Sequence, residues 1–276
     1  MALLGKLNEL QINRRTDFGL YLSDDKGNEI LLPNKYVTHD MHIGDRINVF
    51  VYKDSEDRIV ATTQMPIAQV GEFALLRVNA VNEIGAFLDW GLPKDLLVPF
   101  REQKVKMETG RSYIVYVYVD HASDRIVASS KINKFLNNVP IKYNVGDSVD
   151  ILIVQKVDIG FKVIIDNLFW GVIYSNEVFK EINIGDRMPA FIKNIREDEK
   201  IDVTLSDRID RRIMELADKI LMYLMNNDKT MHLTDKSDPE EIKNIFECSK
   251  KDFKKALGHL YKKKLILLFP DYVKMA

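Results

Sequence analysis

The chain has 276 residues, of which 46% are hydrophobic and 29% charged, and its formal net charge is −1. This composition is that of an ordinary soluble globular protein of two to four small domains, and it excludes a nucleic-acid binder defined by overall basic charge. No apolar run approaches the roughly 18 residues of a membrane span. The start, MALLGKLNEL, lacks the features of a secretory signal, and the single cysteine, Cys248, suits a reducing compartment, so a cytoplasmic location is expected.

The first two hundred residues contain an internal repeat in three copies. The stretch SEDRIVATT (55–63) returns as SDRIVASSK (123–131), and a fainter third copy ends in EKIDVTLS (199–206). Each copy opens on a glycine followed by an alternating strand and closes on an acid before a final strand. Such a regular spacing indicates three small related domains. The distances along the chain are 38, 39 and 39 residues, for Gly19 to Asp57, Gly85 to Asp124 and Gly160 to Glu199.

Each copy predicts five short strands. Segments such as RINVFVY (46–52) and SYIVYVYV (112–119) alternate and are rich in β-branched and aromatic residues, which is typical of strands. The link after the third strand, residues 101–109 in the second copy, is expected to hold one helical turn. Five short strands would expose unpaired edges in an open sheet, so closure into a small barrel is predicted, with a sharp bend at the repeated glycine.

The second copy resembles a known domain. Its segments VNAVNEIGAFLDWG (78–91) and LLVPF (96–100) are similar to the S1 RNA-binding domain, a five-stranded OB-fold barrel. The resemblance covers 65–131 well, 143–206 adequately, and 1–63 with a divergent first strand. It implies tandem OB-fold barrels, with predicted boundaries at 1–64, 65–137 and 138–208.

The S1 resemblance also implies which residues bind RNA. The S1 family carries rings around the second-strand glycine and at the end of the third strand, and polar contacts at the turn into the fifth strand. Single-stranded RNA is held by stacking on such rings and by cations along the backbone. The matching positions are Phe18, Tyr21, Asp54 and Arg58 in the first copy, Phe87, Asp120 and Arg125 in the second, and Phe161, Lys162, Tyr174 and Lys200 in the third.

Several positions depart from the S1 pattern. Ile84 and Ile159 stand where an aromatic residue is common, and Pro33 and Pro99 stand where a histidine is common. No copy has the full set, which favours a joint surface of modest affinity over tight binding by one barrel. A structural role for the rings as packed strand residues is left open. Pairing of the arginines at 58 and 125 with the acids beside them, and partial exposure of the tryptophans at 90 and 170, are left open as well.

The last seventy residues change to a helical period. IDRRIMELADKILMYLMNN (209–227) carries an apolar stripe, KSDPEEIKNIFE (236–247) has a proline just inside its start, and SKKDFKKALGHLYKKKLI (249–266) begins at an N-cap serine. LILLFPDYVKM (265–275) then alternates briefly as a hairpin. Three helices followed by a wing predict a winged-helix domain over 209–276.

The third of these helices is strongly basic. It has seven lysines against Asp252, and Lys250, Lys251, Lys254 and Lys255 are candidate phosphate contacts. In a DNA-binding winged helix this element enters the major groove. The helix has no arginine and few side chains suited to base edges, which argues against reading of duplex sequence. A solvated lysine face or a protein-docking face is left open.

The whole arrangement resembles one family. Three S1-like barrels, a winged helix and the tail MHLTDKSDPEEIKNIFECSKKDFKKALGHLYKKKLI (231–266) are similar to the conserved virulence factor B family of bacterial RNA-binding regulators. The fold class implied is mainly β with an α C-terminus, made of three tandem five-stranded OB-fold barrels followed by a winged-helix domain. The function implied is RNA binding with an influence on gene expression, and no enzyme activity.

A search for catalytic chemistry supports the same view. HDMH (39–42) is interpreted as a surface loop and not as a metal site, Cys248 as a buried thiol before an N-cap, and no phosphate-binding loop is present. The prediction is a monomeric, non-catalytic protein that binds single-stranded RNA, either mRNA or a structured RNA. It has no metal, no cofactor and no membrane partner, and its winged helix is a possible contact for duplex nucleic acid. A winged-helix DNA-binding transcriptional regulator, and a protein-interaction adaptor on the ribosome or transcription machinery, are the alternatives left open.

Overall fold

The computed structural model describes residues 2–178, 181–205 and 209–276, with the backbone alone described for 209–211. The chain divides into two compact units, Met1–Asn138 and Val139–Ala276. The first holds two closed barrels, and the second holds a third barrel and a helical domain. This architecture confirms the predicted fold class. The domain boundaries at 64, 137 and 208 stay predictions, and the last of them lies outside the described residues.

The first barrel is formed by five strands of the first repeat. They are β1 (Leu7–Thr16), β2 (Gly19–Ser23), β3 (Glu29–Pro33), β4 (Arg46–Lys53) and β5 (Ile59–Thr62). They close in the order β1-β2-β3-β5-β4, with β3 and β5 parallel and the other neighbours antiparallel. The barrel has closed on itself, so its strand edges are paired.

The second and third barrels repeat this topology. The second has β6 (Phe73–Val81), β7 (Gly85–Asp89), β8 (Leu96–Pro99), β9 (Ser112–Asp120) and β10 (Arg125–Ser129). The third has β11 (Ser148–Val157), β12 (Gly160–Ile165), β13 (Phe169–Tyr174), β14 (Arg187–Ile195) and β15 (Ile201–Thr204). In both, the third and fifth strands are again the parallel pair, and a short 3₁₀ turn follows the third strand where a helical turn was predicted. The five-strand interpretation of each repeat is therefore confirmed.

The repeated glycine begins the second strand of each barrel and lies against the end of the third. Gly19, Gly85 and Gly160 pair in register with Pro33, Pro99 and Tyr174. A Cβ atom on these glycines would lie 2.0, 2.3 and 1.9 Å from the backbone carbonyl oxygen of Leu32, Val98 and Ile173. The φ angles of 147°, 156° and 150° are also ones that L side chains rarely adopt. The glycine is therefore required by the close approach of two backbones, as the repeat suggested.

The closing acid of each repeat is a turn residue. Asp57, Asp124 and Glu199 have φ angles of 60°, 51° and 60° and lie between the fourth and fifth strands. The left-handed region is accessible to aspartate at small cost, so an acid is an economical choice there. The repeated spacing thus separates two backbone constraints in each copy, the close approach at the glycine and the tight turn at the acid.

Strand β4 is buried on both faces, which joins the first two barrels. Val49 and Val51 belong to the core of the first barrel, whereas Phe50 and Tyr52 pack into the core cluster of the second. The Phe50 ring meets the ring of Trp90 edge to face, with centroids 5.8 Å apart. Successive residues of a strand point to opposite sides, so a single strand supplies both contacts.

The short linker between the barrels of the first unit is hydrogen-bonded to both of them. The Val70 amide donates to the carbonyl of Gly5 at 2.9 Å, and the Ile67 amide donates to the carbonyl of Trp90 at 2.8 Å. Together with the apolar contact through Phe50, these bonds hold the first two barrels against each other.

The C-terminal domain has the predicted three helices and wing. They are α1 (Ile209–Asn226), α2 (Pro239–Phe246), α3 (Lys250–Lys262), β16 (Thr230–Met231), β17 (Ile266–Leu268) and β18 (Val273–Met275). The three strands form one antiparallel sheet in the order β16-β18-β17. Asp238 caps α2 and Ser249 caps α3, each accepting from a backbone amide of the first turn. The predicted apolar stripe of α1 is buried from Ile213 onward except for the half-buried Leu221, while the side chain of Ile209 lies outside the described residues.

Candidate nucleic-acid interface

The predicted residues of the first barrel lie around the start of β2. Phe18 precedes the strand at the tip of the turn and is 74% exposed. Tyr21 is half-buried, and the Arg14 guanidinium lies 3.8 Å from its ring centre while it also pairs with Glu29. Arg58 is exposed and is held by Asp54 through two side-chain hydrogen bonds of 2.9 and 2.7 Å. The free ring on this barrel is therefore Phe18, since the face of Tyr21 carries a cation.

In the second barrel two of the predicted residues, Phe87 and Arg125, line one cleft. Phe87 is half-buried in β7, and Arg125 is exposed at the start of β10. Both face a cleft of about 420 Å³, which lies within the size range of ordinary ligand sites. Its wall also includes the first barrel, through the end of β4 and the turn that follows. The structure thus brings together two of the three residues that sequence analysis assigned to this copy, whereas Asp120 lies outside the cleft lining and pairs with Arg101.

The predicted residues of the third barrel are mostly engaged with neighbouring side chains. Phe161 packs against the barrel core, and the Lys162 ammonium lies 3.7 Å from the ring centre of Trp170. The hydroxyl of Tyr174 accepts a short hydrogen bond from Arg196, which also binds Asp202. Lys200 is exposed and pairs with Asp198 at 2.6 Å. This barrel presents cation and ring pairs in place of bare rings.

The residue before the repeated glycine is exposed and apolar in every copy. Ile84 is 57% exposed and Ile159 is 54% exposed, as Phe18 is in the first barrel. The sequence departs from the S1 pattern at two of these positions by losing the ring, yet the position keeps its exposure. An apolar side chain is thus available at all three tips, with a stacking surface at one.

The arginine pairs differ from the pairs that the sequence suggested. Arg58 binds Asp54 and Glu56 of its own turn, and Arg125 binds Asp57 of the first barrel. The acid immediately before each arginine has a left-handed backbone and does not pair with the arginine of its own copy. The tryptophans differ from each other: Trp90 is buried and donates from Nε1 to the Lys94 carbonyl at 2.6 Å, and Trp170 is half-buried.

Sequence reasoning missed the charged residues that the first barrel and one loop of the second bring to the cleft. Lys94 donates from Nζ to the Asp54 carbonyl at 2.6 Å and lies 3.5 Å from the Asp57 carboxylate. Asp57 therefore contacts Lys94 and Arg125 together, and the Arg125 hydrogen bond holds the pKa of the Asp57 carboxyl below its usual range. These contacts cross between repeats, and no periodicity within one repeat signals them.

The lysines of α3 form a largely exposed face. Lys251 and Lys255 are exposed, and Lys254 is exposed while pairing with Asp235 at 3.2 Å. Lys250 instead donates to the Ser237 carbonyl at 2.8 Å and is half-buried. Three of the four predicted lysines thus present their ammonium groups to solvent, and the fourth fastens the start of α3 to the loop before α2.

The residues considered for other chemistry have ordinary environments. His39 and His42 are exposed, and within the described ranges no group of three or more histidine, cysteine, aspartate or glutamate side chains could hold a metal ion. Cys248 is buried, and burial raises the pKa of its thiol to about 11. A thiol with such a pKa is almost entirely protonated at neutral pH and is a poor nucleophile. The helices that the structure describes include none long and apolar enough to span a membrane.

Comparison with known proteins gives the context of this geometry. The S1 domain family matches residues 4–64 and 70–131, and the CvfB-like winged helix domain family matches 218–275. The protein YitL of Bacillus subtilis is 30% identical over 278 residues, covering 94% of this chain and 89% of its own length. Conserved virulence factor B of Staphylococcus aureus strain N315 is 23% identical over 273 residues, covering 96% of this chain and 91% of its own length.

A solved structure is similar over nearly the whole chain. It is a multidomain protein with nucleic acid binding domains from Streptococcus pneumoniae TIGR4, 25% identical, with a TM-score of 0.40, covering 99% of this chain and 98% of that chain. The two matched domain types are nucleic-acid-binding domains without enzymatic activity in general. The S1 match includes the first barrel, whose first strand looked divergent in sequence.

Proposed function

This chain belongs to the family of S1-domain and winged-helix proteins that includes YitL and conserved virulence factor B, and we propose that it is a non-catalytic, single-stranded RNA-binding regulator of gene expression. The observation that carries the proposal is the surface around Phe87. There an aromatic ring, the exposed Ile84 and the cations Lys94 and Arg125 share one cleft on an S1 barrel. A stacking surface with cations beside it is what single-stranded RNA requires.

The winged helix supplies the second part of the proposal. Lys251 and Lys255 lie on the solvent-facing side of α3, where they would neutralise phosphates without reading bases. The helix offers no arginine, asparagine or glutamine for base edges. We therefore assign α3 to backbone contact with RNA. We also propose that the protein acts in the cytoplasm as a monomer with no membrane partner.

Replacing the Phe87 ring is expected to weaken RNA binding. Phe87→Leu keeps an apolar side chain in β7 but removes the stacking face, and stacking is worth ~1–3 kcal/mol per base, so we expect about a tenfold loss of affinity. The measurement is fluorescence anisotropy of a labelled oligouridylate of about 20 nucleotides, long enough for more than one OB-fold. Phe269→Leu, which removes a ring from the wing, is the matched control and should leave affinity unchanged. Equal losses in both variants would contradict the proposal.

The lysine face predicts a salt effect. With Lys251→Gln and Lys255→Gln together, affinity should fall equally for oligonucleotides of different sequence. The slope of log K against log salt should decrease in magnitude by about 1.4, because each phosphate contact with a single strand contributes about 0.7. The pair Lys219→Gln and Lys243→Gln, exposed on α1 and α2, makes the same change of charge elsewhere in the domain and should leave the slope unaltered. An unchanged slope in the α3 variant would remove α3 from the interface.

A second candidate function has one observation in its favour. Leu267, Leu268 and Phe269 of the wing are exposed and apolar, which suits a protein-docking adaptor better than a phosphate contact. If the protein is a protein-docking adaptor, neither Phe87→Leu nor the double substitution of Lys251 and Lys255 is expected to change the affinity for RNA. Preferential competition by duplex DNA in the same assay would instead favour a DNA-binding regulator.

A further inference from the structure

We propose that the cleft between the first two barrels is a composite site for one nucleotide of single-stranded RNA, in which Asp57 of the first barrel holds the position of a backbone phosphate. This inference rests on the proposed function and adds to it the location of the site, its capacity of one nucleotide, and an acid that competes with the phosphate. It assigns the first barrel a part in a binding site that neither barrel forms alone.

The cleft is built by both barrels of the first unit. The second barrel supplies the apolar part of the wall, with Phe87, Ile84 and Trp90 among the lining side chains. The first barrel supplies Lys53 and Asp57 from the end of β4 and the turn after it. The volume of about 420 Å³ suits a single small ligand unit such as one nucleotide, and not a duplex. Removal of either barrel would open the cleft on one side.

Asp57 contacts two of the cations that line the cleft. Its carboxylate forms an ion pair with the Arg125 guanidinium and lies 3.5 Å from the Lys94 ammonium. A carboxylate and a phosphate present similar anionic oxygen pairs to a guanidinium, and both form charge-assisted hydrogen bonds with it. The contact that Asp57 makes is therefore the contact that an RNA phosphate would make while its base lies against Phe87.

This ion pair can be displaced at little cost. The side chains of Arg125 and Asp57 are 54% and 40% exposed, and pairs with such exposure contribute little to stability. The barrels are held together independently, by the edge-to-face contact of Phe50 with Trp90 and by the backbone bonds of the linker. Exchange of Asp57 for a phosphate therefore leaves the barrel interface intact.

The other two barrels show a contrasting arrangement. There one ring in each barrel is covered directly by a cation, Tyr21 by Arg14 at 3.8 Å and Trp170 by Lys162 at 3.7 Å. In the cleft the cations Lys94 and Arg125 are instead turned to Asp57. Because Lys94 and Arg125 contact Asp57, they do not cover the Phe87 ring. The stacking face and the phosphate contact of the proposed RNA site therefore lie at separate positions.

The substitution Asp57→Asn tests the proposal directly. Asparagine has the same shape, tolerates the left-handed backbone at this position and removes the competing charge. We expect the affinity of the full chain for the labelled oligouridylate to rise about three- to fivefold, the factor that corresponds to an exposed ion pair. Asp25→Asn is the matched control, since Asp25 is an acid of the same barrel that pairs with Arg46 and is 83% exposed. An equal rise in both variants would reduce the effect to net charge and overturn the proposal.

A double substitution separates displacement from general attraction. If Asp57 acts through Arg125, the gain from Asp57→Asn should shrink to less than about twofold in an Arg125→Gln background, while Arg125→Gln alone lowers affinity. A full gain in that background overturns the proposal, because the acid would then act on the RNA without the arginine.

Occupancy of the cleft has its own reporter. Trp90 and Trp170 are the two tryptophans of the chain, so Trp170→Phe leaves Trp90, a cleft residue, as the single emitter. Its emission should change in parallel with anisotropy as the oligouridylate is added. Binding seen by anisotropy with constant Trp90 emission overturns the cleft proposal and leaves RNA binding in place. Absence of any anisotropy change with the wild-type chain contradicts the proposed function itself, so the two failures are distinguishable.

Discussion

We expect Gly85→Ala to lower the free energy of unfolding of the second barrel by about 3–5 kcal/mol. Two costs combine: the φ angle of 156° strains any L side chain, and the new Cβ would lie 2.3 Å from the Val98 carbonyl oxygen. That oxygen belongs to the backbone of β8, which is hydrogen-bonded in the barrel and cannot rotate away as a side chain does. The strands must separate, and the ladder between β7 and β8 weakens where the barrel bends.

Urea unfolding followed by Trp90 fluorescence measures this loss. Trp90 is buried beside the barrel core, and Trp170→Phe removes the other emitter. Gly258→Ala is the control: Gly258 lies within α3 with open space around its would-be Cβ, so alanine there should stabilise by ~0.5–1 kcal/mol. An unfolding midpoint of Gly85→Ala equal to that of the parent protein would contradict the prediction, because a Cβ atom at position 85 would then fit without separating β7 from β8.

The same positions explain why so much of the fold was predictable from sequence. The opening glycine and the closing acid are both backbone requirements, one for close approach and one for a left-handed turn, and each acts within a single copy. Gly85 and Asp124 therefore mark the strand boundaries of the second barrel in the sequence itself. The helix starts at Pro239 and Ser249 were predictable for the same reason, because capping depends on residues within one turn.

Contacts between repeats were not predictable in this way. The alternation in β4 indicates a strand with one buried face, yet Phe50 and Tyr52 are buried as fully as Val49 and Val51 because a second barrel covers the outer face. The ion pair of Asp57 with Arg125 joins two copies of the same turn through residues that are 68 positions apart. A period that describes one repeat contains no information on how two repeats meet, so the cleft could be found only in three dimensions.

The candidate site shows the same division. Phe87 and Arg125 were identified through the S1 resemblance, and both line the cleft. Lys94 and Asp57 were not assigned to it, since the first lies in a loop and the second belongs to another barrel. Resemblance to a family therefore identifies the residues that a single barrel contributes. The neighbouring barrel supplies the acid that, in the proposed site, competes with RNA phosphate for the cations.

Asp252→Ala is expected to have the largest effect in the winged-helix domain, a loss of ~2–3 kcal/mol, because it breaks an ion pair whose carboxylate is buried and whose guanidinium is partly buried. Asp252 is 5% exposed in the first turn of α3, where it binds the Arg212 guanidinium of α1 and the Ser249 hydroxyl. Burial already lowers the pKa of Arg212, and the substitution removes the Asp252 carboxylate that contacts its partly desolvated charge. The pair thus joins the first and third helices, and α3 carries the exposed lysines.

Thermal unfolding followed by far-ultraviolet circular dichroism isolates this domain, because the α-helices of the described chain lie within it. Asp235→Ala is the matched control: it breaks the surface pair with Lys254, whose side chains are 43% and 69% exposed, and should cost less than ~1 kcal/mol. Asp252→Asn keeps an acceptor for Ser249 and removes the charge, so its loss should approach that of alanine if the ion pair dominates. If asparagine is instead nearly neutral, the hydrogen bond within the start of α3, and not the ion pair with α1, accounts for the loss in the alanine variant. The lysine face would then depend on a cap that any polar residue could supply.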